Sequence, residues 1–260
     1  MKTALLISTY NWPEALNLVL KSVKNQSTAP DEIVIADDGS TEETANVIKK
    51  HKDQGLPIKH VWQEDEGFRR TSILNKAIAQ ATSDYIIQTD GDCILHKDFV
   101  RDHINNTKTG TFQFGSRVNI QEEALQEIFE EGRISYDFFA SGIKKRTRSL
   151  HIPFLSSFYK QKNELSKKVR GCNLSFWRKD FIEINGYNED MTGWGQEDSE
   201  MVVRLLNKGV DGKRLRYAGI VYHIWHKESS KEKSIVNREI QQRAMDEKMV
   251  SCENGIEKYL

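Results

Sequence analysis

Tyr85-Ile86-Ile87-Gln88-Thr89-Asp90-Gly91-Asp92-Cys93 is an apolar run that ends in two carboxylates two positions apart. In α/β sheets, ligands bind just beyond the carboxyl ends of strands. Two acidic groups crowded there repel one another unless a cation sits with them. A divalent metal is the natural occupant, and a metal at a sheet crevice commonly holds a phosphorylated ligand. The plain alternative is a solvated turn, because Asp-Gly is a strong turn signal. An EF-hand loop opening at Asp90 is excluded: its sixth and twelfth positions would need Gly and Glu, and they hold Leu95 and Arg101.

Outward from that run, strands and helices alternate. Ala4–Ser8 reads as a buried strand. Pro13 opens a helical pattern with Leu16, Val19, Leu20 and Val23 on one face. Ile33–Ala36 is a second strand, and Ser40 with Glu43 forms a capping-box signature for the next helix. Ile58–Trp62, a helix over 71–81 and the strand Tyr85–Gln88 complete a pattern that predicts a mostly parallel sheet with right-handed crossovers. Further on, Thr111–Ile120 reads as a strand, Glu122–Glu131 as a helix and Cys172–Trp177 as a strand. Glu197–Leu206 is a helix closed by Gly209, and Leu215–Ile224 is a last strand. Residues 143–170 carry nine Lys or Arg against one acid, Glu164, and read as a long mobile basic loop. The stretch from Lys227 to Leu260 is charged and helical in pattern.

Composition narrows the class. A chain of 260 residues with 38% hydrophobic and 29% charged content suits a globular protein with a sizeable core. Zero formal net charge gives no footprint for nucleic acid. Cys93, Cys172 and Cys252 show neither metal nor redox spacing, which fits a reducing compartment. The apolar start is too short for a signal peptide, and no stretch approaches the roughly 20 apolar residues of a membrane span.

Three more constellations bear on chemistry. Asp37-Asp38-Gly39-Ser40 ends the second strand, so Asp38 is placed to accept hydrogen bonds from a base or ribose. No Walker or dinucleotide glycine loop is present, so phosphates fall to a metal and arginine, with Arg69-Arg70 nearest. In Gly193-Trp194-Gly195-Gln196-Glu197-Asp198, two carboxylates open a helix beside a flat aromatic face. That pattern serves helix capping, and equally the stacking and gripping of a sugar ring. Tyr222-His223-Ile224-Trp225-His226 offers two imidazoles, the commonest side-chain donors to transition metals.

Taken together, these residues resemble inverting family-2 glycosyltransferases of GT-A fold over roughly residues 1–226. Ser8-Thr9-Tyr10-Asn11, Asp37-Asp38-Gly39-Ser40 and Thr89-Asp90-Gly91-Asp92 stand in that family's order. The downstream half is similar to the galactosyltransferase-type module of β1,4-galactosyltransferases and bacterial chondroitin polymerases. Gly193–Asp198 resembles their Trp-Gly-x-Glu-Asp motif, and Phe68-x-Arg70 with Leu74-Asn75 their Phe-x-Arg…Leu-Asn segment. The resemblance implies an α/β Rossmann-like sheet flanked by helices. Its parts would be a nucleotide-sugar half (1–105), an acceptor half (106–226) and a helical tail (227–260). It implies that Thr9, Tyr10, Asp38, Arg70, Asn75, Asp90 and Gly91 serve the nucleotide sugar. Asp92 would bind the metal with Asp90 in support, and His223 would complete the site, with His226 as the alternative. Trp194 and Glu197 would bind the acceptor, and Asp198 would be the catalytic base.

The expected activity is transfer of a hexose or N-acetylhexosamine from a UDP-sugar to a saccharide or lipid-linked hydroxyl, with Mn²⁺ or Mg²⁺, in surface polysaccharide or lipopolysaccharide synthesis. The expected location is cytoplasmic, with possible contact to the inner membrane face through 143–170 or the tail. Two departures leave the donor sugar open: Gly stands inside the acidic motif, and Arg69 follows Phe68. A retaining transferase, a nucleotidyltransferase and a binder without transfer activity are the rival readings.

Overall fold

The computed structural model describes residues 1–227 and 234–260. The helical-tail expectation for 228–233 lies outside the described residues.

Nine strands form one sheet: β1 (Thr3–Thr9), β2 (Glu32–Asp37), β3 (Ile58–Trp62), β4 (Tyr85–Asp90), β5 (Cys93–Leu95), β6 (Thr111–Ile120), β7 (Ile143–Lys144), β8 (Leu174–Trp177) and β9 (Asp211–His223). The order is β3-β2-β1-β4-β8-β6-β9-β5, with β7 on β6. The first four strands are parallel, as their alternation with helices predicts. β8 then runs antiparallel between β4 and β6, and β5 pairs antiparallel with β9. Helices α1 (Pro13–Lys24), α2 (Glu42–Asp53), α3 (Arg70–Gln80) and α4 (Phe99–Asn105) belong to the first half, and α5 (Leu125–Glu131) opens the second. α6 (Pro153–Ser156), α7 (Arg178–Glu183), α8 (Glu197–Asn207) and α9 (Ser234–Asp246) follow. None of the described helices is long and apolar enough to cross a membrane.

The apolar strands are buried on both faces, and side-chain alternation sorts them between two cores. Leu5 and Ile7 of β1 pack with Leu16, Val19 and Leu20 of α1 and Ile48 of α2. Ala4 and Leu6 point the other way, toward Ile73 and Leu74 of α3 and Met201, Val202 and Leu205 of α8. Ile256, near the chain end, is fully buried in that second core.

Several local expectations give way. Ser40 does not cap α2. Thr41 occupies the N-cap, and the Ser40 hydroxyl instead accepts the Asn11 N–H at 2.9 Å. The Asp37 carboxylate takes the Ser40 N–H at 2.8 Å, so the tight turn was stronger than the capping pattern. The basic segment 143–170 is not one continuous loop. It contains β7, the 3-10 turn Arg146–Arg148 and α6, and it is tied to β9 by Ile152 N–H to the Tyr217 carbonyl (2.9 Å) and a Lys162–Gly212 bridge. The last strand begins at Asp211 rather than Leu215. A register shift against β6 after Gly115 and a left-handed Tyr217 (φ 67°) break its alternation, which hid its first residues from periodicity.

Candidate active site

Strand register assembles the site. Parallel pairing of β1 with β4 sets Ser8 opposite Asp90, and β5–β9 pairing sets Cys93 opposite His223, one residue from Asp92. These ends open on a cavity of about 760 Å³ that also takes Trp194 from the turn before α8 and Glu197 and Asp198 from its start.

Arg70, at the first turn of α3, ties the two halves together. It reaches Asp90 at 2.6 Å, Asp198 at 3.2 Å and Glu197 at 3.3 Å. Burial works against its charge, but the three carboxylates outweigh it and push its pKa well up. The Ser8 hydroxyl donates to the same Asp90 oxygen at 2.8 Å. Asp90 is therefore held by Arg70 and Ser8, apart from the imidazoles.

The Asp198 carboxylate accepts the Gly171 N–H at 2.7 Å. A Cβ on Gly171 would stand 2.3 Å from its Oδ1, so only glycine lets the backbone approach this closely. Glu197 accepts the Gly195 N–H at 3.0 Å, and burial, reinforced by the Asp198 charge, pushes its pKa up to about 7 against the pull of Arg70. Gln196 (φ 73°) and Gly195 (φ 114°) are left-handed, and that turn presents both acids to the cavity at the head of α8. Trp194 lines the same wall and is 43% exposed.

Asp92 faces two imidazoles, His226 Nε2 at 3.3 Å and His223 Nε2 at 3.5 Å. Burial would raise its pKa, but the two histidines and the Cys93 thiol hold it low. Its hydrogen bond lifts His226 to about 9, while burial pushes the His223 pKa down. The three side chains offer ligand atoms all within 4.8 Å of one another. One carboxylate and two imidazoles make a donor set that suits a first-row divalent metal.

The other expected residues divide. Thr9 and Gly91 line the cavity and lie against each other: a Cβ on Gly91 would come 3.0 Å from the Thr9 hydroxyl. Tyr10 lines it too, half exposed, with its hydroxyl donating to Asp65 at 2.9 Å. Asp38 is not on the cavity wall: it is buried, with one oxygen taken by Gln63 Nε2 (2.6 Å) and the other by the Arg69 N–H (2.9 Å). Asn75 is fully buried and holds the Tyr187 N–H (2.8 Å) and carbonyl (2.8 Å). Arg117 and Arg170 line the cavity without having been anticipated. Arg117 sits on β6 and reaches the metal corner only through non-local pairing with β9.

Fold and site together define a glycosyltransferase of the GT-A architecture. Residues 4–167 match the family model of Glycosyl transferase family 2, and the chain belongs to that family. Residues 153–227 match a model described as the N-terminal domain of galactosyltransferase. Among curated relatives, validoxylamine A glucosyltransferase of Streptomyces hygroscopicus subsp. limoneus is 28% identical over 222 residues, covering 80% of this chain and 48% of that protein. Chondroitin synthase of Pasteurella multocida is 26% identical over 254 residues, covering 85% of this chain and 24% of the synthase. The chain thus spans half or less of these relatives' lengths. GalNAc-T7, solved with UDP, GalNAc and Mn²⁺, superposes with a TM-score of 0.66 at 16% identity, covering 99% of this chain and 53% of that one. A Pyrobaculum calidifontis mannosyltransferase with GDP-Man and Mn²⁺ gives 0.62 at 16% identity, covering 91% and 60%.

Proposed function

We propose that the chain is a metal-dependent, inverting glycosyltransferase that moves a hexose or N-acetylhexosamine from a UDP-sugar to a saccharide or lipid-linked saccharide hydroxyl. The observation that carries this reading is Arg70, which gathers Asp90 from the strand-end half and Glu197 and Asp198 from the α8 half around one cavity. A donor bound at the strand ends then lies against an acceptor bound at Trp194. UDP and Mn²⁺ in the GalNAc-T7 structure, and a relative described as acting on an undecaprenol-diphosphate-linked saccharide, support the donor, metal and acceptor classes.

Asp92, His223 and His226 are the residues that would hold Mn²⁺ or Mg²⁺, whose positive charge offsets that of a diphosphate leaving group. Thr9, Tyr10 and Gly91 border the nucleotide, and Arg70 and Asp90 border its sugar-phosphate end. Asp38 and Asn75 act by shaping this wall: Asp38 pins the Arg69 backbone just before Arg70, and Asn75 anchors Tyr187, whose hydroxyl lies 3.5 Å from Asp198. Trp194 offers the acceptor ring a stacking face, and Glu197 a hydrogen bond to its hydroxyls. Asp198 takes the proton from the attacking hydroxyl, and a single displacement inverts the anomeric centre. Residues 1–226 form the catalytic unit in this reading, with 234–260 bracing it. Three free, buried cysteines accord with a reducing, cytoplasmic setting, with membrane contact peripheral.

A panel of UDP-sugars tests the reading. One of them is hydrolysed slowly in Mn²⁺ buffer, and EDTA stops the reaction; no hydrolysis of any would leave a binder without transfer activity. The Gly171–Asp198 approach supplies a second check. Gly171→Ala displaces the Asp198 carboxylate and slows transfer by about 10²-fold, the scale of an ångström misplacement, while UDP affinity holds. Transfer at the wild-type rate would dissociate Asp198 from the chemistry.

A further inference from the structure

One wall of the cavity is rich in cations that form no ion pair with a carboxylate among the described residues. Arg117 and Arg170 line the cavity, and Lys145, Arg148, Arg214 and Arg216 continue outward from them along the β9 side. Among the described residues, arginine–carboxylate pairs fall on Arg69, Arg70, Arg101, Arg133 and Arg204, none of which belongs to this wall. The wall's guanidiniums meet carbonyls and rings instead. Arg148 donates to the Arg117 carbonyl (3.1 Å), Arg170 to that of Lys167 (3.1 Å), and Arg216 lies over Tyr217 at 4.6 Å. Arg214 Nε is buried with no hydrogen-bond partner among the described residues. Burial, then the neighbouring cations, lower the pKa of Arg148, and Lys145 is depressed in the same way. In a chain with as many acids as bases, no described carboxylate stands at ion-pairing distance from these six groups; Arg117 alone feels the Cys172 thiol and Asp92, which favour its charge. Such self-repulsion costs stability, and a bound anion relieves it.

We propose that this wall binds a phosphate or diphosphate group carried by the acceptor, so that the saccharide receiving the sugar is a phosphate ester. The inference rests on reading the cavity as the transfer site. Guanidinium groups pair with phosphate oxygens two at a time, and a row of them suits a diphosphate better than a neutral glycan. The wall begins at Arg170, next to Gly171, the residue that holds Asp198. A phosphate seated there leaves its saccharide within reach of the base. Exposed Phe154 and Phe158 follow Ile152, which is bonded to Tyr217 beside Arg216, so an apolar surface adjoins the outer end of the wall. That neighbour suits the lipid of a lipid diphosphate.

The test uses the full chain. Metal-free protein is titrated calorimetrically with inorganic pyrophosphate, which then has no metal at Asp92 to hold it. The wild type binds, more weakly as salt rises. The double variant Arg148→Gln, Arg214→Gln binds about tenfold or more weakly, the scale of losing one charge-assisted hydrogen bond. Its UDP affinity in Mn²⁺ is unchanged, which also reports that it is folded. No pyrophosphate binding, or equal binding by both proteins, overturns the proposal. Loss of UDP binding by the wild type would instead overturn the transfer-site reading on which it rests. Flotation with vesicles of equal parts phosphatidylglycerol and phosphatidylcholine separates the two sources. Flotation that the variant loses assigns the phosphate to a lipid headgroup, and pyrophosphate binding without flotation assigns it to a soluble sugar phosphate.

Discussion

Asp198→Asn lowers sugar transfer by roughly 10²–10⁴-fold, the range general-base assistance supplies, and leaves UDP binding in place. The substitution keeps the shape of the side chain and its hydrogen bond from the Gly171 N–H, because the amide oxygen accepts as the carboxylate does. Arg70 keeps Asp90 and Glu197, so no buried guanidinium is stranded and the fold tolerates the change. What is lost is the capacity to take a proton. Single-turnover transfer from the preferred UDP-sugar measures the loss, and calorimetry with UDP and Mn²⁺ measures the binding that remains. A variant that transfers at near the wild-type rate would move the base elsewhere, with Glu197 the first alternative.

Asp92→Ala removes the carboxylate that His223 and His226 both face. Residues that merely orient a metal ligand are commonly worth 10–100-fold in metal affinity, so loss of the ligand itself lowers metal-dependent UDP affinity by about 10²-fold or more. Thermal melting reads the same event. Ligand at about 100 times its Kd adds roughly 2.7 kcal/mol to the folded state of the wild type, and at the same concentration the variant gains about 0.4 kcal/mol or less from UDP with Mn²⁺. EDTA makes the wild type behave like the variant. Equal UDP affinity in the two proteins by calorimetry would remove Asp92 from the metal site.

The strand-end acids could be read in the sequence because an apolar run stopping at Asp90-Gly91-Asp92 has one natural place in an α/β sheet, and the glycosyltransferase resemblance rested on those residues. The Glu197-Asp198 pair was legible for a similar reason: glycines on either side of Trp194 make poor helix, so their role lies in the turn. Arg117 and Arg170 carried no comparable signal. Arg117 is one half-buried residue in a ten-residue strand, and its neighbours are set by pairing with β9, some hundred residues later. Asp38 illustrates the opposite difficulty. Its position at a strand end suggested a ligand, but Gln63 and the Arg69 N–H, both in the β3–α3 connection, close over it, and nothing local to Asp38 announces them. The capping pattern at Ser40 was outcompeted by an adjacent aspartate that bonds its backbone. The basic segment looked loose because charge density hides short elements that form only against β6 and β9.

The Trp194 turn does not stand on its own. Asn237 of α9, almost fully buried, donates to the Gly195 carbonyl at 2.9 Å, and Gln241 donates to Ser199 at 2.6 Å. Farther along, Ile256 plugs the core beneath α3. For anyone building chimaeras to exchange acceptor preference, the transplantable unit is therefore not the Trp-Gly-x-Glu-Asp neighbourhood alone. A graft that kept its host's own α9 would bring a foreign side chain to the Gly195 carbonyl, and the Trp194 turn would lose its brace. If the Trp194 turn receives the acceptor as proposed, acceptor preference is inherited together with the helix that follows the last strand.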